Sequence, residues 1–327
     1  MTRPFGLVMN VLFTCIRERG NMKRILLLCM LVHATLCPCF GFELIVLGDS
    51  RSDFGNENFQ KTEEIINDAV AYTENNYDDL IGIVMTGDYV NSGRNSDEWE
   101  MWKAANEIAF IYPLYPCLGN HDDESTDCFW WDLFCQRERY YNWNYYKTFN
   151  VERWWSQDIG GLHLVALDSN LEGFDVSTFN GDLLEALQYR WFTEDLARNS
   201  DKPTIVIWHE PAYGSHSWFG KGHGSNRFMR QRYVSLCETY GVKMIMYGHN
   251  HWYERVTVNG IKHVTTGGGG APQAPVSPLF FLDRVEGSQV NKAAYHWCVL
   301  SVNEEAIKVD VIRHKTHRVL DSFVIPY

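Results

Sequence analysis

The sequence predicts a layered α/β domain, and three observations carry that prediction. Apolar strand-like runs alternate with helically spaced segments from residue 44 to residue 240. Five of these runs end in Asp, Asn or His. The last third then changes to strand-rich sequence with a strong hairpin signal. In open α/β sheets ligands gather at the carboxyl ends of strands, so five polar strand ends can converge on one site.

In chain order, Leu44 to Leu47 leads into Gly48-Asp49-Ser50-Arg51, and Asn58 to Tyr72 has helical spacing in Phe59, Ile65, Ile66 and Val70. A second strand, Ile81 to Thr86, ends in Gly87-Asp88-Tyr89-Val90-Asn91. Ser96 to Phe110 reads as a helix with Ser96 as N-cap and Trp99, Trp102, Ala105 and Ile108 on its inner side. Leu114 to Leu118 leads into Gly119-Asn120-His121-Asp122. Residues 122–160 break the rhythm with a crowd of Trp and Tyr, which reads either as a local mini-core or as a grip on a ligand.

Leu162 to Leu167 is a strand followed by Asp168-Ser169-Asn170, and Asp182 to Arg198 is a helix burying Leu184, Leu187, Trp191 and Leu196. Thr204 to Trp208 leads into His209-Glu210-Pro211. Asn226 caps a helix that runs to Tyr240 and stops at Gly241. Val242 to Met246 then enters Gly248-His249-Asn250-His251, two imidazoles two residues apart on one side of a tight turn. Asn259-Gly260 joins Trp252–Val258 to Ile261–Val264 as a hairpin. Gly267 to Gly270 lacks a Lys-Ser/Thr sequel, so it reads as a turn packed closely under the site rather than a phosphate loop. His296 to Val302, Ala306 to Arg313 and Arg318 to Ile325 read as closing strands.

Formal net charge is −12. The first 41 residues hold five Lys/Arg and one Glu, which leaves −16 on the remainder. That charge argues against a nucleic-acid polymer or an anionic membrane surface as partner. An acidic protein that takes an anionic substrate needs local positive charge, which metal ions supply.

Residues 1–41 read as a leader. Lys23-Arg24 precedes an apolar stretch to Leu36 that is too short to span a bilayer comfortably. Met22 is an alternative start, Gly41 a plausible cleavage position, and a retained signal anchor the competing reading. Export to a secreted or periplasmic location follows, with residues 42–327 as one catalytic domain. Of the five cysteines outside the leader, Cys128 and Cys135 are the pair expected to bridge.

Two carboxylates, one amide and three imidazoles can hold two metals, with one carboxylate as the bridge. Mixed oxygen and nitrogen donors suit Zn, Fe, Mn or Co. Two such ions activate water and stabilise both oxygens of an in-line displacement at phosphorus, so no Ser or Cys nucleophile is needed.

The motif series resembles the calcineurin-like metallophosphoesterase superfamily. His209-Glu210-Pro211-Ala212-Tyr213, His223-Gly224-Ser225, Gly248 to Arg255 and Thr266 to Gly270 narrow the resemblance to the catalytic domain of purple-acid-phosphatase-like enzymes. It covers roughly residues 43–325 and implies a four-layer α/β/β/α sandwich of two mixed sheets. By position, Asp49 and His251 would bind the first of two divalent or trivalent ions (Fe, Zn or Mn). Asn120, His209 and His249 would bind the second, and Asp88 would bridge. His121 would lie beside the substrate phosphate as general acid or charge stabiliser. His223 would face the leaving group or else be a surface histidine.

Two positions depart from the superfamily pattern. Arg51 stands where many members have a histidine ligand, and Asn91 stands where the purple enzymes have a tyrosine ligand. Guanidinium has no lone pair to offer a metal. Arg51 is therefore expected either to brace Asp53 or Asp88, or to grip the substrate phosphate. Asn91 would ligate through its amide oxygen or orient a water. Tyr89, two residues from position 91, would lie on the same side if the segment is extended.

The expected activity is hydrolysis of a small phosphate monoester. Phosphodiester hydrolysis on the same site and a non-catalytic phosphate-binding domain are the alternatives.

Overall fold

The structure, a computed structural model, describes residues 41–52, 58–123, 142–173, 179–217, 223–273 and 282–327. Residues 1–40 of the leader, Asp53 and the Cys128–Cys135 pair lie outside these residues. Gly41 to Tyr327 forms one compact unit. Its described elements in chain order are β1 (Phe42–Leu47), α1 (Gln60–Asn76), β2 (Leu80–Met85), α2 (Ser96–Ala105), β3 (Leu114–Pro116), α3 (Trp143–Phe149), β4 (Trp155–Ile159), β5 (Leu162–Ala166) and α4 (Phe179–Arg198). They continue as β6 (Thr204–Ile207), β7 (His216–Ser217), α5 (Arg227–Arg232), α6 (Val234–Thr239), β8 (Met244–Tyr247), β9 (Tyr253–Val258), β10 (Ile261–Thr266), β11 (Leu282–Asp283), β12 (Ser288–Lys292), β13 (His296–Val302), β14 (Ala306–Arg313) and β15 (Val319–Pro326).

These strands make two large mixed sheets, ordered β15-β14-β13-β1-β2-β3 and β12-β9-β10-β8-β6-β5-β4. In the first, β1, β2 and β3 run parallel and β13 pairs antiparallel with β1. In the second, β5, β6, β8 and β10 run parallel, with antiparallel β4 and β9 flanking them.

Alternation along each strand sorts the side chains into layers. Leu44 and Val46 of β1 point into an inter-sheet core with Leu164, Ile207, Met246 and Val264, whereas Ile45 and Leu47 face α1 and α2. A third cluster joins the outer face of β5, β6 and β8 to α4, α5 and α6. The layers are helix, sheet, sheet, helix. Central strands covered on both faces have no polar side, which is why they read as continuous apolar runs. Burying a Leu or Val of this kind is worth about 1.5–3 kcal/mol.

Local departures have local causes. Asn95, not Ser96, caps α2, its side chain accepting from Asp97 and Glu98 N–H, and the helix stops at Ala105 before a short 3₁₀ turn. The helix capped by Asn226 is broken at Tyr233 into α5 and α6. Asn259 and Gly260 both take positive φ, 47° and 86°, as a two-residue hairpin turn of this hand requires. In the aromatic segment Tyr145 is buried and packs with Tyr89, Trp99 and Phe149, a mini-core, while Trp143 stays exposed. No helix among the described residues is long and apolar enough to cross a membrane.

Candidate metal centre

The carboxyl ends of β1, β2 and β3 in one sheet and of β6 and β8 in the other meet at one place. Asp49 and Asp88 follow β1 and β2, and Asn120 and His121 follow β3. His209 follows β6, and His249 and His251 follow β8. Asp49, Asp88 and His209 are buried, with one ligand atom from each lying within 4.8 Å of the others. Asp49, Asp88 and His249 all take positive φ (57°, 59° and 68°), each at a cost of about 1–2 kcal/mol for a non-glycine residue. Strain of this kind clusters at functional sites.

Close packing fixes these strand ends. A Cβ on Gly119 would lie 2.2 Å from Asp88 N and 2.3 Å from Asp88 Oδ1. The glycine run does the same from the other side, where a Cβ on Gly267 would lie 2.2 Å from Asn250 O and 2.9 Å from Asp49 Oδ2. The run is thus a close-packed turn beneath the site. Asp122 ties the β2 and β3 ends together, accepting the backbone N–H groups of Asp88, Tyr89, Val90 and Gly119. Asp122 stands in the Gly-Asn-His-Asp motif, but nothing in its spacing marks it as a latch.

Two contacts test whether the donors fit metal ions. His209 Nδ1 lies 2.8 Å from the Thr86 carbonyl, which can only accept, so Nδ1 carries the proton. A neutral His209 then presents its Nε2 lone pair to two further acceptors, Asn120 Oδ1 at 3.1 Å and Asp88 Oδ1 at 3.3 Å. His251 repeats the arrangement. Its Nδ1 donates to the Pro272 carbonyl at 2.7 Å, which leaves Nε2 facing Asp49 Oδ1 at 3.3 Å. Acceptors facing acceptors in a buried site require a cation between them, either a proton or a metal ion. Burial opposes a proton on His209, but the Asp88 carboxylate outweighs burial and carries its pKa up to about 10. Asn120 Oδ1 also lies 2.9 Å from His249 Nδ1. Burial and the neighbouring His209 hold His249 well below the usual imidazole range, neutral as a metal ligand must be. The donors fit metal ions, and the carbonyls behind His209 and His251 orient their rings as outer partners of ligands do.

His121 donates its backbone N–H to Asp88 Oδ1 at 3.0 Å, and its Nδ1 lies 3.0 Å from the Asn91 carbonyl. His223 is exposed, yet its ring centroid lies 4.4 Å from that of His249, at the rim of the centre. Arg51 is buried behind Asp88. Its Nε lies 3.6 Å from Asp88 Oδ2, and its Nη1 donates to Asn91 Oδ1 at 2.7 Å. Asn91 thus spends its amide oxygen on Arg51 and donates its amide nitrogen to Ser52 Oγ.

Two strand-end residues go elsewhere. Tyr89 does not share a side with position 91, because β2 ends at Met85 and the chain bends at Val90 and Asn91 instead of staying extended. Its ring is buried against Trp99, Trp102 and Phe149, and its hydroxyl donates to the Cys117 carbonyl at 3.0 Å. Asp168 is buried in an ion pair with Arg153, whose Nη2 also lies 3.6 Å from Asp123 Oδ2. That cluster supports the β3 end from outside the centre.

Residues 42–253 match the family model described as calcineurin-like phosphoesterase. Among curated proteins the chain is 26% identical over 227 residues to acid phosphatase type 7 of Danio rerio, covering 62% of this chain and 46% of that protein. It is 29% identical over 199 residues to purple acid phosphatase 22 of Arabidopsis thaliana, covering 55% and 40%. The chain therefore spans less than half the length of either relative. A purple acid phosphatase from yellow lupin (Lupinus luteus) seeds superposes with a TM-score of 0.66 at 20% identity, over 88% of this chain and 54% of that one. GAP50, the anchor in the inner membrane complex of Plasmodium, superposes at 0.62 and 15% identity over 88% and 89%. These two structures share the fold. The match across residues 42–253, which contain all six candidate donor positions, shows that the chain belongs to the calcineurin-like phosphoesterase family, with a domain like that of the purple acid phosphatases.

Proposed function

We propose that this chain hydrolyses small phosphate monoesters with two metal ions (Fe, Zn or Mn). Asp49 and His251 would hold one, Asn120, His209 and His249 the other, and Asp88 would bridge. The observation that carries the proposal is the pair of acceptor-to-acceptor contacts, His209 with Asp88 and Asn120, and His251 with Asp49. Metal ions held there would lower the pKa of water and polarise phosphoryl oxygens.

The chain's own residues divide the remaining work. The Thr86 and Pro272 carbonyls fix the tautomers of His209 and His251. Asp122 holds the Asp88 and Gly119 backbones in register. His121 spends Nδ1–H on the Asn91 carbonyl, so proton delivery to a leaving alkoxide falls to its Nε2. His223, at the rim beside His249, serves the leaving-group side. Arg51 and Asn91 form the wall behind Asp88, where Arg51 both steadies that carboxylate and offers positive charge to the substrate. Export of the protein belongs to the same reading and rests on the basic-then-apolar stretch at residues 23–36. A processed N-terminus on protein recovered from the medium or periplasm tests it.

Purified metal-loaded protein assayed on a panel of phosphate monoesters and diesters tests the reaction. Monoesters are expected to turn over at least about tenfold faster. Faster diesters would make the chain a phosphodiesterase. Bound metal with no turnover of either class would make it a phosphate-binding domain.

A further inference from the structure

The segment that carries His223 is held from two directions. On one side it is fastened to the stretch between β6 and β7. Ser225 Oγ accepts the Gly214 N–H at 3.1 Å and donates to the Gly214 carbonyl at 3.2 Å, and His223 itself forms a backbone bridge to His216. On the other side stands Asn250, the residue between the candidate metal donors His249 and His251. Its Oδ1 accepts the His223 backbone N–H at 2.7 Å. A backbone N–H can only donate, so the amide atom that faces it is the oxygen.

An amide at position 250 is costly, and the bond to His223 offsets the cost. Asn250 is 0% exposed, and its Nδ2 has no hydrogen-bond partner among the described residues. A buried donor without a partner is destabilising, and an aliphatic side chain of similar size would avoid it. Close packing leaves the amide little freedom. A Cβ on Gly214 would lie 2.7 Å from Nδ2, and one on Gly267 would lie 2.2 Å from the Asn250 carbonyl oxygen. The backbone is equally tied, with Asn250 N–H donating to Gly248 O at 2.8 Å and Trp252 N–H donating to Asn250 O at 2.7 Å. A rigid acceptor on the donor loop thus fixes the backbone of His223, whose ring centroid lies 4.4 Å from that of His249.

We propose that Asn250 is a positioning residue. It sets His223 against the metal centre so that a ring N–H of His223 meets the leaving oxygen of the ester. The inference rests on the phosphatase reading and on the place of His223 in it. A hydrogen bond to the leaving oxygen matters most where that oxygen carries most charge. It therefore counts for an alkyl ester and far less for a nitrophenyl ester.

The test measures kcat on propyl phosphate and on 4-nitrophenyl phosphate with metal-loaded protein. A hydrogen bond to a charged group is worth about 10- to 150-fold, so His223→Ala should lose that much more on the alkyl than on the aryl ester. Displacing a group by about 1 Å can cost as much as 10²-fold. Asn250→Val should therefore shift the same ratio by about 10-fold or more, and the double variant should be no worse than His223→Ala. Asn250→Asp keeps the acceptor and should hold the wild-type ratio within about threefold. Asn250→Ala replaces the valine variant if valine is not accommodated. Metal loss or a general folding defect would lower both substrates together and leave the ratio unmoved. Hydrogen exchange of the His223 amide reads the tether without turnover, and should be about 2- to 12-fold faster once the acceptor is gone. A ratio shift in His223→Ala but not in Asn250→Val, losses that add in the double variant, or unchanged amide exchange would each overturn the positioning role. No ratio shift in His223→Ala would instead remove His223 from the leaving-group side, and the positioning role with it. If wild type turns over neither ester, the phosphatase reading falls, and the amide exchange alone decides whether Asn250 holds His223.

Discussion

Arg51 is the position at which this chain departs most from the superfamily pattern, and the structure turns the departure into a measurable free energy. The guanidinium is 3% exposed and lies 3.6 Å from Asp88 Oδ2. At an effective dielectric near 20, that separation gives roughly 4–5 kcal/mol of attraction. Breaking a buried pair by removing one partner typically costs about 3–5 kcal/mol. Arg51→Ala should therefore destabilise the metal-free protein by about 3–5 kcal/mol. A metal ion on Asp88 takes over the neutralisation, and the guanidinium then repels the ion. The cost in metal-loaded protein should fall to about 1–2 kcal/mol, that of the packed stem and the Asn91 hydrogen bond. By linkage, Arg51→Ala should bind metal more tightly than wild type. Urea unfolding of both proteins, with chelator and with saturating metal, measures all four values. An equal cost in the two conditions, or weaker metal binding by the variant, would refute the reasoning. The same variant reads substrate contact: a guanidinium that touches the phosphate group should leave it about 10- to 150-fold lower in kcat/KM and less inhibited by inorganic phosphate.

Three further outcomes are expected. His121→Ala should lose about 10²–10⁴-fold in kcat with its metal content unchanged, and activity within a few-fold of wild type would remove His121 from proton transfer. Iron-loaded protein should show no strong visible charge-transfer band, because Asn91 replaces the tyrosine ligand and Tyr89 is buried in the aromatic cluster; a band that disappears in Tyr89→Phe contradicts this. His163 is bonded to Asp158 and Asp195 at 2.8 Å each, and although burial opposes its charge, the two carboxylates raise its pKa above 6.5. Its contribution is fully present below pH 6.5 and is lost as pH rises through the raised value. His163→Gln should therefore cost more at pH 5.5 than at pH 9, and a pH-independent cost would show that the imidazole is neutral throughout.

The strand ends were legible because each couples two strong signals, an apolar run and a polar residue at its carboxyl end, usually after a glycine. Asp49, Asp88, Asn120, His209, His249 and His251 all stand at such places, and the fold brings all six together. Asp168 gives the same signal and goes elsewhere, since its partner Arg153 is a long-range choice that spacing does not encode. Tyr89 was placed by assuming an extended chain, and the bends at Val90 and Asn91 undid the alternation. β4 was missed because only Trp155 and Ile159 of its five residues are apolar, and Gln157 interrupts the face they share. Ser96 and Asn95 are adjacent good caps, and only the backbone angle decided for Asn95.

The most direct test is a metal titration of chelator-stripped protein, with bound metal and phosphate-monoester turnover read on the same samples. Turnover should be absent in the stripped protein, rise with occupancy and disappear in Asp88→Asn. Metal bound in stoichiometric amount with no turnover of any monoester would contradict the account and leave the site as a place that holds phosphate without cleaving it.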